Sequence, residues 1–239
     1  MRVLEGEKVT KLFGGLSAVF NVDFHVDTDE IVGLIGPNGA GKTTLFNLIS
    51  GAHALTSGTT KFKGEDITRL KPNQICKRGV ARTFQLINLF GNMTVFENVF
   101  LASLFGKSET VNKPDAKKES LELLEFVGLS AVSSTPAKEL TLANQKRLEV
   151  ARGLATKPEL FLLDELMAGL NPSEVAESME LIKKIRDRGI TIFMIEHVMK
   201  AIMSVCDRIM VLDHGVKIAE GTPEEISSNK KVIEVYLGE

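Results

Sequence analysis

The chain has 239 residues, 44% of them hydrophobic and 25% charged, with a formal net charge of −2. This is the composition of an ordinary globular protein with enough chain for one substantial core, which excludes disordered and fibrous classes. A charge so near zero gives no electrostatic case for a nucleic-acid ligand, and the two cysteines, Cys76 and Cys206, form no C-x-x-C motif and read as reduced thiols.

Met1 to Glu7 carries no apolar stretch of the kind that opens a secretory signal. No uncharged apolar run in the chain reaches the ~18–20 residues of a membrane span. Val22, Phe24 and Val26 alternate with Asn21, Asp23, His25 and Asp27, the period of two of a half-buried strand. The runs Ile31 to Gly36, Leu160 to Asp164, Ile190 to Ile195 and Arg208 to Asp213 are instead almost continuously apolar. Strands covered on both faces read this way, so an α/β fold with a central, mostly parallel sheet flanked by helices is expected.

Directly after the first of these runs comes Gly36-Pro37-Asn38-Gly39-Ala40-Gly41-Lys42-Thr43-Thr44, opening a helix expected from Lys42 to Ser50. The pattern is G-x-x-x-x-G-K-[ST] in its required strand–loop–helix context. Glycines let such a loop wrap closely, so that successive N–H groups point at phosphate oxygens, and the helix N-terminus adds its positive dipole end. Lys42 is expected to reach the β- and γ-phosphates, and the Thr43 hydroxyl to ligate Mg²⁺.

From about Leu86 to Pro158 no buried strand is expected. Leu121, Leu124 and Val127 share one helical face, and Leu148, Ala151, Leu154 and Ala155 another. The polar, Lys-rich stretch between Phe105 and Ser120 reads as a solvated loop. Residues 86–158 are therefore expected to form a helical subdomain inserted into an α/β core made of residues 1–85 and 159–239.

The run Leu160 to Leu163 ends in Asp164 and Glu165. An acid in this position can hold Mg²⁺, and its neighbour can orient and deprotonate an attacking water. Further on, Asn171, Pro172 and Glu174 spell an N-cap, a first-turn proline and a capping-box acid. Val175, Met179, Ile182 and Ile185 then share a face, and Gly189 ends the helix. Thr222-Pro223-Glu224-Glu225 repeats the start signal for a last helix.

In this order the motifs resemble those of the ATP-binding-cassette ATPases, the nucleotide-binding subunits of membrane transporters. The resemblance implies a P-loop NTPase (RecA-like) core with N-terminal antiparallel strands, and ATP and Mg²⁺ as cofactors. Gln85, in Ala81-Arg82-Thr83-Phe84-Gln85, resembles the glutamine that contacts Mg²⁺ and water and flexes toward the membrane partner. His197 resembles the switch histidine that touches the γ-phosphate, and Phe13 the aromatic residue that stacks on adenine. His25, His53 and His214 match no motif and read as structural.

The family's signature, Leu-Ser-Gly-Gly-Gln, corresponds here to Leu140-Thr141-Leu142-Ala143-Asn144-Gln145. Thr141 keeps the hydroxyl that would reach a partner's γ-phosphate, whereas Ala143 puts a methyl where a glycine is usual, tolerable only if its φ is negative. Leu166 replaces a usual proline, and Asn171 a usual aspartate. Ala168 to Pro172, Gly221 to Glu224 and Val235 to Glu239 are similar to the ATP-binding subunits of branched-chain amino-acid importers, a subgroup that also serves amide and urea systems. The resemblance implies an ATPase at the inner face of the cell membrane. Its partners would be a homologous or identical ATPase packed head to tail, two integral membrane permeases and, indirectly, an extracytoplasmic solute-binding protein. Soluble cassettes acting in DNA repair or on the ribosome are the alternative; their long coiled coils and basic extensions have no counterpart here.

Overall fold

The computed structural model describes residues 1–106 and 112–237. The first strands, β1 (Arg2–Phe13) and β2 (Leu16–Asp27), pair antiparallel through the turn at Gly14-Gly15. β3 (Ile31–Ile35) leaves them for a second sheet and runs through the phosphate-loop sequence into α1 (Lys42–Ile49). β4 (Ser57–Phe62) returns to the other edge of β1, and the two-residue β5 (Glu65–Asp66) completes an antiparallel sheet in the order β2-β1-β4-β5.

After α2 (Pro72–Lys77), the short β6 (Val80–Arg82) pairs parallel with β7 (Leu160–Asp164). Between them lie α3 (Val95–Phe105), α4 (Lys113–Phe126) and α5 (Leu142–Ala155), packed against one another, with no strand among the described residues of that stretch. The chain continues through α6 (Pro172–Arg186), β8 (Thr191–Ile195), α7 (Met199–Val205), β9 (Arg208–Asp213) and β10 (Val216–Gly221) to α8 (Pro223–Ser227) and α9 (Lys230–Leu237). The main sheet has the order β10-β9-β3-β8-β7-β6, all parallel except the edge strand β10.

Every residue of β3, β7 and β8 is buried, as their unbroken apolar runs require. The period of two divides them between two cores: Ile31 and Ile35 pack with the helices α3 to α6, Val32 and Leu34 with α1 and the antiparallel sheet. The capping box of α6 forms as its residues suggest, Asn171 Oδ1 accepting from the N–H groups of Ser173 and Glu174 and Glu174 Oε2 from that of Asn171. Thr94 with Glu97 and Thr222 with Glu225 build the same box at α3 and α8.

Three expectations differ from the structure. The Lys-rich stretch is not a loop throughout: α4 begins at Lys113, its lysines outward, while residues 107–111 fall outside the described part. Leu121 is 47% exposed rather than inside, because the buried stripe of α4 runs through Ala116, Ser120 and Leu124, at spacings of four. The C-terminal helix signal at Thr222 yields only α8, and the chain breaks at Ser228-Asn229 before α9. Gly238 and Glu239 also lie outside the described residues.

Helix α5 approaches the sheet closely because Gly153 has no side chain; a Cβ there would overlap the Phe161 ring, which is fully buried on β7. Farther up the helix, Lys146 is buried and donates to the backbone oxygen of Glu165 at 2.8 Å. Glu196, just beyond β8, is buried as well. Its Oε1 accepts from the Met167 N–H at 2.8 Å, and burial pushes its pKa up to about 7 against the pull of that bond and of Lys146.

Two measurements check this packing. Gly153→Val is expected to cost about 2–3 kcal/mol in urea unfolding through overpacking against Phe161, which outweighs the small gain in helix propensity, with part recovered by Phe161→Leu in the same chain. Glu196 has a folded-state pKa above its unfolded value, so its contribution favours folding less as pH rises through about 4.5 to 7. Glu196→Gln is therefore expected to match wild type near pH 5 and to exceed it by about 2–3 kcal/mol at pH 8. A variant less stable at pH 8 than at pH 5, relative to wild type, would contradict this account.

Candidate active site

The parallel pairing brings three strand ends to one level, with Leu34 opposite Ile195 and Ile195 opposite Asp164. The loops that leave these ends meet in a cleft of about 580 Å³ lined by Asn38, Gly39, Ala40, Gly41, Lys42, Thr43 and Thr44, with Gln85, Glu165 and His197. Ligand sites of open α/β sheets form at this kind of position, beyond the carboxyl ends of the strands where the order reverses.

The loop's conformation depends on its glycines at two places. Gly36, with φ 151°, lies against the Leu212 carbonyl, and Gly41, with φ 100°, against the Ala18 carbonyl; a Cβ at either would collide with backbone. Gly41 caps α1 without a side chain, so no side chain competes for the N–H groups of the helix's first turn. Lys42 Nζ donates to Gly36 O at 2.6 Å and to Pro37 O at 2.9 Å. Burial lowers its pKa, while Glu165 and Asp164 hold it up.

Glu165 is the most tightly constrained of the acids. Its backbone takes the left-handed conformation, φ 53°, held by its N–H to Ile195 O at 2.9 Å and by Lys146 on its carbonyl. Its Oε1 is 3.0 Å from His197 Nε2, and its Oε2 accepts from Gln85 Nε2 at 3.1 Å. Asp164 is anchored from the end of β6 and the residue after it, its Oδ2 accepting from Arg82 at 2.9 Å and its N–H donating to Thr83 Oγ1 at 3.0 Å. Its Oδ1 is buried with no hydrogen-bond partner, and burial pushes the carboxyl's pKa up despite Arg82.

That orphaned oxygen, with the Thr43 hydroxyl and the Gln85 amide oxygen, is a set of hard donors that suits Mg²⁺. No group of three or more His, Cys, Asp or Glu residues able to hold a metal occurs among the described residues. A cation here would thus take few protein ligands and fill its shell with water and phosphate oxygens, as Mg²⁺ does.

Of the residues singled out from the sequence, the pair Gly36-Pro37 and the fully buried Asp164 adjoin lining residues in the chain without lining the cleft themselves, and three more lie elsewhere. Phe13, 44% exposed, packs edge-on against His53 under the Lys11 ammonium and is not among the residues lining the cleft. Thr141 and Ala143 sit at the start of α5, also outside it. Ala143 is helical, away from the left-handed region, so its methyl meets the condition set for it. Conversely, Leu16, Ser17, Ala18 and His214 line the cleft without a sequence signal. They come from the start of β2 and the β9–β10 turn, where Gly215 packs on the Ala18 backbone, a proximity that only the tertiary pairing creates.

Comparison with known proteins agrees with this geometry. A family model described as ABC transporter matches residues 19–168, and one described as branched-chain amino acid ATP-binding cassette transporter matches residues 216–239. The high-affinity branched-chain amino acid transport ATP-binding protein LivG of Escherichia coli K12 is 45% identical, with 95% of this chain and 94% of the relative covered. Its counterpart BraF of Pseudomonas aeruginosa is 41% identical over 99% and 98%. Among solved structures, a nucleotide-free ATP-binding cassette from an ABC transporter superposes with a TM-score of 0.90 at 31% identity, covering all of both chains. A dimeric cassette in a post-hydrolysis state, bound to ADP and Pi, gives 0.83 at 26% identity over 92% and 98%. On sequence along its whole length and on fold, the chain belongs to the ABC transporter family, as one of its ATP-binding cassettes.

Proposed function

We infer that this chain is the ATP-binding and ATP-hydrolysing subunit of an importer of branched-chain amino acids. The observation that carries hydrolysis is the Glu165 carboxylate, held between His197 and Gln85 in the cleft that the phosphate loop lines. The choice of solute rests on the named function of relatives matched end to end.

Each residue has a part. The loop from Gly36 to Thr44 cradles the phosphates with the N–H groups that follow Pro37, and Lys42 exchanges its loop carbonyls for phosphate oxygens. Thr43, Gln85 and Asp164 would hold Mg²⁺, which when bound neutralises charge building on the phosphate oxygens. Glu165 takes the proton of the attacking water, and His197 keeps its carboxylate aimed. Phe13, at the end of β1 beside the turn into β2, is the residue for the base. Thr141 and Ala143 lie outside their own cleft, so we assign them to the nucleotide of a second ATPase subunit packed head to tail.

Motion passes to membrane partners on another face. A groove of about 320 Å³ is walled by Ile75, Val80, Ala81, Phe84 and Ala102, and Phe84, Leu86 and Phe90 beside it are exposed. No helix among the described residues is long and apolar enough to cross a membrane. We assign this groove to the permease subunits, which would hold the ATPase at the inner face of the membrane, with residues 86–158 turning against the rest as the dimer closes.

Glu165→Gln keeps the bond from Gln85 through its amide oxygen but not the base, so with Mg-ATP it is expected to accumulate as a dimer in light scattering. A monomer saturated with nucleotide would overturn the dimer mechanism. Thr141→Ala is expected to lower phosphate release at least about tenfold while nucleotide affinity of the isolated subunit stays within about twofold, since the residue serves the partner's site. A melting curve separates this from the roughly 1 kcal/mol cost of a lost helix cap. An unchanged rate would show that the Thr141 hydroxyl is idle.

A further inference from the structure

Arg82, three residues before Gln85, is a charge in the interior: its side chain is 6% exposed, and that of Asp164 is 0%. Its guanidinium meets three acceptors at once. Nη2 donates to Asp164 Oδ2 at 2.9 Å, while Nη1 donates to Asn47 Oδ1 at 2.7 Å and to Ser50 Oγ at 2.9 Å. The rings of Phe46 and Phe84 lie 5.7 and 5.1 Å from it. Asn47 and Ser50 belong to α1 or its C-cap, the helix that begins at Lys42 and Thr43.

One side chain therefore ties together the strand leading to Gln85, the helix that starts from the phosphate loop, and the carboxylate at the end of β7. The planar fork of arginine is what allows this; a lysine ammonium keeps the charge but lacks the geometry. The tie also makes the two oxygens of Asp164 unlike. Oδ2 is engaged by Arg82, and Oδ1 is buried with no partner. Arg82 Nε is buried without a partner as well, but as a donor it cannot meet a cation, whereas an acceptor such as Oδ1 can. The Asp164 backbone is fixed by the residue after Arg82, the Asp164 N–H donating to Thr83 Oγ1.

We propose that Arg82 is a positioning residue for metal-assisted nucleotide binding, clamping Asp164 through Oδ2 to helix α1 so that Oδ1 remains the oxygen free for the cation. The proposal rests on Asp164 being a metal carboxylate. It assigns Arg82 no contact with nucleotide or cation, so its loss should weaken what the metal adds to binding and leave the rest.

The test compares binding of a fluorescent ATP analogue to the purified chain in EDTA and across a Mg²⁺ titration, for wild type, Arg82→Met, Arg82→Lys and Asp164→Asn, with folding checked by circular dichroism and melting. In EDTA the Arg82 variants are expected to bind within about twofold of wild type, while the Mg²⁺ needed for half-maximal enhancement rises about tenfold or more in Arg82→Met, the range typical of residues that orient a metal ligand. Arg82→Lys should fall between, and it decides the question by itself if Arg82→Met does not fold. Enhancement intact in a folded Arg82 variant, or affinity lost equally with and without Mg²⁺, would overturn the proposal. If Asp164→Asn also keeps the full enhancement, the reading of Asp164 has failed and the proposal falls with it. Loss in Asp164→Asn but not in Arg82→Met refutes the role of Arg82 alone.

Discussion

The parallel register of β3, β8 and β7 sets the level at which each loop of the cleft begins. Leu34 stands opposite Ile195 and Ile195 opposite Asp164, so the phosphate loop, the His197 segment and the acidic pair emerge side by side. Side chains alternate along a strand, and both faces of this sheet are covered. A slip of one residue would therefore exchange Ile31 and Ile35 with Val32 and Leu34 between two differently shaped cores. The apolar packing that holds the register is the same packing that places Glu165 beside the phosphate loop. Stability and the make-up of the cleft depend here on one geometric fact.

Buried charge is concentrated around that level. Asp164 faces Arg82, Glu196 lies near Lys146, and Glu149 accepts from the Asn88 N–H close to Arg152. Burial is the main force pushing the pKa of each of these acids up, joined at Asp164 and Glu196 by the nearby Glu165 charge. Each is met by an N–H donor or a cation, which is how interiors tolerate ionisable groups. Lys146 donates to the Glu165 carbonyl while attracting Glu196, so α5 is bound to the loop that carries Glu165. The left-handed backbone of Glu165 is maintained by contacts from β8 on one side and α5 on the other.

What the sequence made legible follows from how local each signal is. Continuous apolar runs announced β3, β7, β8 and β9, and the capping residues announced α6, because each pattern lies within a few residues of itself. The phosphate loop, Gln85, Glu165 and His197 were legible as motifs, and the fold brings them into one cleft. β10 carries Lys217 and Glu220 on a half-buried edge, and β6 is three residues long, so neither shows a period of its own. Leu16, Ser17, Ala18 and His214 reach the cleft only through the docking of the antiparallel sheet on the β9–β10 turn. Lys146 and Glu196 look like surface residues in sequence, and only tertiary burial makes them otherwise.

The contact between Gly153 and Phe161 has a mechanical consequence. It fixes the far end of α5 to the sheet, while Thr141, twelve residues earlier, projects from the near end. At about 1.5 Å per residue the helix is a lever arm of about 18 Å, so a pivot of roughly 5° about Gly153 sweeps Thr141 through about 1.6 Å. A displacement of that size separates a hydrogen bond made from one broken. The absent side chain of a single glycine thus serves as a fulcrum, turning small tilts of a rigid rod into displacements of Thr141 as large as the reach of a hydrogen bond.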